Sequence, residues 1–149
     1  MKSYDEAIKI DKNDIDSWYN KGSILKEQGH YPQALKCYDE AIKIDKGFFL
    51  PWLNKGNTLR KILNNLGESA SSKLKLYDEA EICYNNTIKL NSHFAYSHYY
   101  LAILKIKRYL IENNDKHKKE GFQALMNAIK LQPQLKNAAK SSEIFIKLR

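Results

Sequence analysis

Nine residues, YDEAIKIDK, occur twice in this chain, at 4–12 and again at 38–46, an offset of 34. The same offset carries Trp18 to Trp52, Asn20 to Asn54, Lys21 to Lys55 and Gly22 to Gly56. A run of that length with an aligned W-x-N-K-G pair does not arise by chance in 149 residues, so the chain is built from stacked copies of one unit. Most folds are excluded at once. Each copy is a supersecondary unit that cannot bury its own apolar face and relies on a neighbour to cover it. Within a copy the apolar spacing is helical: Trp18, Gly22 and Leu25 recur along one face, as do Ala34, Tyr38, Ala41 and Ile42. Small residues (Gly22, Ala34, Ala41) meet large ones (Trp18, Leu25, Tyr38), the pattern of helices that approach closely and interlock.

Local punctuation places the helix ends. Asn13 or Asp14 can cap one helix, Gly29 can end it, and Pro32 suits the first turn of the next, as Pro51 does later. Ser92 can cap the helix that carries Ala95 to Tyr109. The spacing predicts eight helices, near 3–11, 14–28, 31–45, 49–66, 73–90, 94–112, 117–131 and 134–147, with loops at 67–72 and at Asn113-Asn114-Asp115. No strand is needed.

A 34-residue period with these residues resembles the tetratricopeptide repeat, a helix–turn–helix unit that stacks into a superhelix. One nearly complete unit spans 15–48, where Trp18, Gly22, Leu25, Tyr31, Ala34, Tyr38 and Ala41 fill the family's large and small positions. A second begins at Phe49 with Trp52, Gly56 and Leu59. Its second helix arrives about 12 residues late, marked by Tyr77, Ala80, Tyr84 and Thr87. A third starts at Ala95 and diverges: Leu101 and Ala102 replace Lys-Gly, and its second helix, around Gly121, Leu125 and Ala128, is displaced by about 7 residues. The proline that usually follows the second helix is replaced by Lys12, Lys46 and Ser92 and survives only as Pro133. The resemblance implies an all-α, right-handed superhelical stack of antiparallel helix pairs. It implies one domain over 1–149: a half repeat at 3–12, repeats near 15–48, 49–94 and 95–133, and a capping helix at 134–148. The half repeat lacks its first helix, so either the natural chain starts abruptly or this is a segment of a longer repeat array; at a bare end the apolar surface is an expected place for self-association as a homodimer.

Composition narrows function. No apolar run approaches the roughly 18–20 residues that cross a bilayer, and no secretory signal opens the chain, so the cytoplasm is the expected compartment. Cys37 and Cys83 are too few for a disulfide framework. They occupy equivalent places in successive second helices, whose axes lie about 8–10 Å or more apart, so two buried thiols are expected rather than a bridge. His30, His93, His98 and His117 form no i, i+4 pair, and no Gly-rich phosphate loop, G-x-S-x-G or C-x-x-C motif is present. The acidic pairs Asp5-Glu6, Asp39-Glu40 and Asp78-Glu79 read as repeat features on exposed helix faces. Neither catalysis nor a metal or cofactor is expected.

Binding is the stronger expectation. The resemblance implies that the first helix of each unit lines a concave face on which partners lie as extended or helical peptides. Mapped here, that face carries Asp16, Tyr19, Asn20, Ser23, Lys26 and Glu27 from the first unit. The second adds Leu50, Leu53, Asn54, Asn57, Arg60 and Lys61. The third adds Tyr96, Tyr99, Ile103, Ile106 and Lys107, with Phe48 and Phe94 at the turns. Aromatic rings are large anchors with few torsions to freeze, and Lys26, Arg60, Lys61 and Lys107 form a cationic stripe late in their helices. The expected partner is a protein or peptide segment with apolar anchors flanked by Asp or Glu. A competing expectation is that Leu50, Leu53, Ile103 and Ile106 pack against the chain's own C-terminal helix or the long inserted arms. Some members of the family grip a partner's C-terminal carboxylates with Lys, Arg and Asn. Asn20, Asn54 and Asn57 match the Asn part here, but Tyr19, Tyr96 and Tyr100 stand where cations would be needed, so that clamp is not expected.

Charge supplies the alternative. The net is +8, and residues 1–99 carry 14 Lys/Arg against 13 Asp/Glu, whereas residues 100–149 carry 11 against 4. The excess includes Lys116, Lys118, Lys119, Lys130, Lys136, Lys140, Lys147 and Arg149. A pI near 9.3 and the Tyr/Lys interleaving of 99–109 fit RNA binding. Against it, the chain has only three arginines, Arg60, Arg108 and Arg149, and no recognised nucleic-acid motif. Solvation of the outer helix faces is the simpler account of the lysines.

Overall fold

The computed structural model describes residues 1–66 and 70–148; the predicted loop residues 67–69, and Arg149, lie outside them. The described residues form nine helices: α1 (Lys2–Ile10), α2 (Ile15–Glu27), α3 (Tyr31–Ile44), α4 (Phe49–Asn65), α5 (Ala70–Leu90), α6 (Ala95–Glu112), α7 (Asp115–Leu131), α8 (Leu135–Ser141) and α9 (Glu143–Ile146). No strand occurs among them. Helices α2 and α3, α4 and α5, and α6 and α7 pair as hairpins. The chain divides into two compact units, residues 1–90 and 91–149.

Local chemistry explains the boundaries. The Asp14 carboxylate caps α2, accepting from the Ser17 hydroxyl at 2.6 Å and from the Ser17 N–H at 3.1 Å. These bonds, the hydroxyl's first, hold the Asp14 carboxyl below its ordinary value. Gly29 ends the helix with φ 80°, which brings the His30 N–H to the Leu25 carbonyl at 2.9 Å.

Four expectations are corrected. The helix predicted at 134–147 is two helices broken at Ser142, which adopts extended backbone and lets α9 turn back. Residues 70–72, predicted as loop, already belong to α5, whose helical spacing runs further upstream than the Gly-Glu-Ser signal suggested. Helix α7 starts at Asp115 rather than 117, because Asn114 caps it through the Lys116 N–H at 3.1 Å while Asn113 takes the left-handed conformation, φ 51°. Ser92 does not cap α6: the capping position is Phe94, without a side-chain bond, and the Ser92 hydroxyl instead meets His93 Nδ1 at 3.3 Å.

In the first unit, small residues decide how close the helices come. A β-carbon at Gly22 would lie 2.8 Å from Tyr38 Cε1 and 3.1 Å from Cys37 Cβ, and one at Gly56 would lie 3.0 Å from Tyr84 Cε1 and 3.2 Å from Cys83 Cβ. Tyr38 and Tyr84 are 0% exposed, so each ring is locked over its glycine. Both cysteines are buried and unbridged, as expected; burial pushes the Cys83 thiol up to about 12 and raises Cys37 as well. In the second unit the exchange is reversed: a β-carbon at Gly121 of α7 would lie 2.8 Å from Ile106 Cδ1 of α6.

The junctions between units of the repeat are also copied. Trp18 Nε1 donates to the Lys12 carbonyl at 3.0 Å and Trp52 Nε1 to the Lys46 carbonyl at 3.1 Å. Lys21 pairs with Asp5 at 2.6 Å, and Lys55 pairs with Asp39 at 2.7 Å and Glu79 at 2.8 Å. Burial alone would lower the Lys55 ammonium's pKa, but the bonds to Asp39 and Glu79 outweigh it and hold it above its ordinary value. Asp5, Asp39 and Glu79 are therefore ion-pair partners of neighbouring helices.

Candidate partner-binding face

In the first unit, α2 and α4 lie side by side and present most of the predicted contact residues. Tyr19 sits between two aromatic neighbours, its ring centroid 5.5 Å from Phe48 and 6.3 Å from Tyr38. Its hydroxyl accepts from Asn54 Nδ2 at 3.0 Å, and Asn54 Oδ1 accepts from Lys26 Nζ at 2.9 Å. Lys26 also lies 3.3 Å from the Glu27 carboxylate. A phenol, an amide and an ammonium are thus chained across two helices on a half-buried face, and each fixes the orientation of the next. Asn57 Oδ1 accepts from Tyr84 at 2.9 Å, which ties α4 to α5 and leaves its amide nitrogen for other bonds. Asn20 and Arg60 are half-buried and Lys61 is exposed. Leu53 is buried and offers no open surface.

The equivalent helix of the second unit is different. Tyr96 is 38% exposed and begins a ladder of touching rings, Phe94–Tyr96–Tyr100–Tyr99, with centroids 6.0 Å apart. Phe145 of α9 closes the ladder 6.4 Å from Tyr99. Ile103 and Ile106 are buried in one cluster with Ala139 and Phe145, so the C-terminal helices cover them, as the competing expectation had it. Lys107 is half-buried, and after Lys147 its charge helps hold the Glu143 carboxyl below its ordinary value. Much of the basic interleaving of α6 is used internally: Lys105, 6% exposed, pairs with Glu120 at 2.5 Å, and Arg108 pairs with Glu112 at 2.7 Å. His117 lies 3.1 Å from that same Glu112.

Two features were not legible beforehand. His98 takes the place of Trp18 and Trp52 and repeats their bond, with Nε2 3.0 Å from the Ser92 carbonyl. A ring nitrogen six residues after that carbonyl is the shared signal, hidden because the ring type changes. A cavity of about 810 Å³ also opens beside Asp5, Trp18, Lys21, Cys37 and Glu40. Among its lining residues Asp5 pairs with Lys21, and Glu40 pairs with Lys43 along α3 at 2.5 Å. Among the described residues no group of His, Cys, Asp and Glu is placed to hold a metal ion, and no helix is long and apolar enough to cross a membrane.

Paired helices locked by glycine–tyrosine contacts, on glycines 34 residues apart, define a helical-repeat protein. Residues 15–48 match the tetratricopeptide repeat family. No curated protein sequence matches it. Its fold is similar to that of MamA, residues 41 to the end, from Desulfovibrio magneticus RS-1, with TM-score 0.68 and 23% identity over 87% of this chain and 63% of that one. It is similar to the first tetratricopeptide domain of Spaghetti (RPAP3) bound to an HSP90 peptide, SRMEEVD, with TM-score 0.63 and 16% identity over 89% and 85%. It is similar also to a chain of the CopN-Scc3 complex, with TM-score 0.61 and 19% identity over 97% and 70%. The chain spans less than two thirds of the length of the MamA chain.

Proposed function

We propose that the chain is a non-catalytic protein-interaction module whose α2/α4 face takes a partner segment with apolar anchors flanked by Asp or Glu. The observation that carries this reading is the Tyr19–Asn54–Lys26 chain of bonds. It fixes polar groups on a half-buried face beside the Tyr19–Phe48 ring pair and the exposed Lys61. Rigid aromatic surface beside oriented donors is what a binding hot spot needs, because little freedom remains to be lost. The fold supports the reading: RPAP3 was solved with an HSP90 peptide, and CopN with Scc3. The site is Tyr19, Asn20, Lys26, Asn54, Asn57, Arg60 and Lys61. The reading places the protein in the cytoplasm. RNA binding is the weaker alternative, since Lys105 and Arg108 are held by Glu120 and Glu112.

The test is selection from a displayed peptide library on the full chain. Enriched peptides are expected to carry Asp or Glu beside Leu, Phe or Met and to lose affinity about 5- to 30-fold on Lys26→Ala combined with Lys61→Glu. Enrichment of basic peptides, or affinity untouched by both substitutions, refutes the site. A 20-nucleotide oligo(U) is expected not to bind at 150 mM salt; tight binding that weakens steeply with salt refutes the protein-partner reading.

A further inference from the structure

Within the second unit the extended backbone at Ser142 separates α8 from α9, and the two short helices do not close over the whole of α7. A cavity of about 260 Å³ remains between the three. Its inner surface is Ala139 and Phe145, 6% and 8% exposed, which belong to the core cluster with Ala102 and Ile106 of α6. Leu125, Ile129 and Leu148 are half-buried along its walls, and Phe122, more open, stands at the rim. The other two lining residues are Lys136 and Lys140, exposed and one helical turn apart on α8. These two charges are not used elsewhere. Of the four acids in residues 91–149, Glu112, Glu120 and Glu143 pair with Arg108, Lys105 and Lys147, and the fourth, Asp115, lies in the first turn of α7. Among the described residues neither Lys136 nor Lys140 has a carboxylate partner. The cleft is thus apolar within and cationic at its mouth.

We propose that this cleft binds a small anionic amphiphile, an unbranched aliphatic carboxylate with its chain against Ala139 and Phe145 and its head between Lys136 and Lys140. The lining decides between such a ligand and a peptide. Its side chains offer no hydrogen-bond acceptor, since every polar group among them is an ammonium donor. A peptide brings N–H groups that would be buried with nothing to receive them. An alkyl chain brings none, and a carboxylate head brings acceptors only. Volume sets the length: a cavity of about 150 Å³ admits benzene, six carbons, so this one takes roughly eight to ten. The site is separate from the α2/α4 face and does not rest on the reading of that face.

The probe is decanoate, titrated to about 10 mM into the full chain and followed by methyl-detected nuclear magnetic resonance. Saturable shifts are expected at the Leu125, Ile129, Ala139 and Leu148 methyls. Binding is expected to tighten about two- to fourfold per methylene from hexanoate to decanoate and to level off beyond about ten carbons. Decylammonium is expected to bind at least about fivefold more weakly than decanoate. Lys136→Glu with Lys140→Glu, both at exposed positions, is expected to reverse that order without disturbing the fold. No saturable shift at those methyls overturns the proposal, and so does an order of the two amphiphiles that charge reversal leaves unchanged. Shifts spread equally over residues 1–90 overturn it by showing unspecific association. Release of bound decanoate by an acidic peptide overturns it too, because the cleft then takes a peptide. Neither substitution touches Lys26 or Lys61, so the cleft and the α2/α4 face are tested separately.

Discussion

Replacing Gly22 by alanine sets two known effects against each other. Alanine is worth about 0.8–1 kcal/mol over glycine in a helix interior, so by propensity alone the variant gains stability. The structure reverses that sign. The new β-carbon lies 2.8 Å and 3.0 Å from two atoms of the Tyr38 ring and 3.1 Å from Cys37 Cβ. The ring cannot withdraw, because Tyr38 is wholly buried, and Cys37 Cβ is fixed to its own backbone. Overpacking of a full core costs about 1–3 kcal/mol, and contact with two fixed groups puts it toward the upper end. The net expectation is a loss of about 1–2 kcal/mol, measured by urea unfolding followed by far-ultraviolet circular dichroism. In a Tyr38→Leu background the penalty is expected to shrink or change sign, since the ring is gone. Gly29→Ala is the control: it costs about 1–2 kcal/mol through left-handed backbone, has nothing within 4 Å to strike, and is indifferent to Tyr38→Leu. A Gly22→Ala protein as stable as the parent, or a penalty undiminished without the Tyr38 ring, refutes the close-approach argument.

Other outcomes follow from the same contacts. Lys55→Met is expected to cost about 1–2 kcal/mol at pH 7 in urea unfolding, less than a fully buried pair would, because Asp39 and Glu79 keep about 40% of their side-chain surface in water. His98→Phe is expected to lose about 1 kcal/mol by orphaning the Ser92 carbonyl, whereas His98→Trp keeps the donor, and thermal melts separate the two. Cys37 and Cys83 are expected to react with a thiol reagent only after urea is added, since burial raises both. Asp14, Asp5 and Glu120 are held low in the folded state, so what they contribute is present above the ordinary carboxylate range and is lost as pH falls through their folded values. The thermal midpoint is therefore expected to fall below pH about 4, and Asp14→Ala, destabilising at pH 7, to matter less there.

The helices were legible because the period is long and the small residues are not decorative: Gly22, Ala34 and Tyr38 announce one tight crossing, and Gly56 and Tyr84 announce the next. What spacing could not show was local. Ser142 breaks the last helix without a glycine or proline to signal it, and Asn114 caps α7 inside a stretch that reads only as loop. On the binding face, Tyr19, Lys26 and Asn54 stand on the α2/α4 face as the repeat implies, but their mutual bonding depends on side-chain reach between residues 28 and 35 positions apart. Burial separated the remaining candidates. Leu53 and Ile103 carry the right helical phase for the face, yet neighbouring helices cover them, and phase alone does not distinguish a groove floor from a core.

The central claim concerns the α2/α4 face, and hydrogen exchange of the full chain with and without a library-selected acidic peptide tests it most directly. The account predicts slowed exchange in α2 and α4, reduced at least fivefold in extent by Lys26→Ala with Lys61→Glu. Protection confined to α6 and α7, or unchanged by those substitutions, would contradict it.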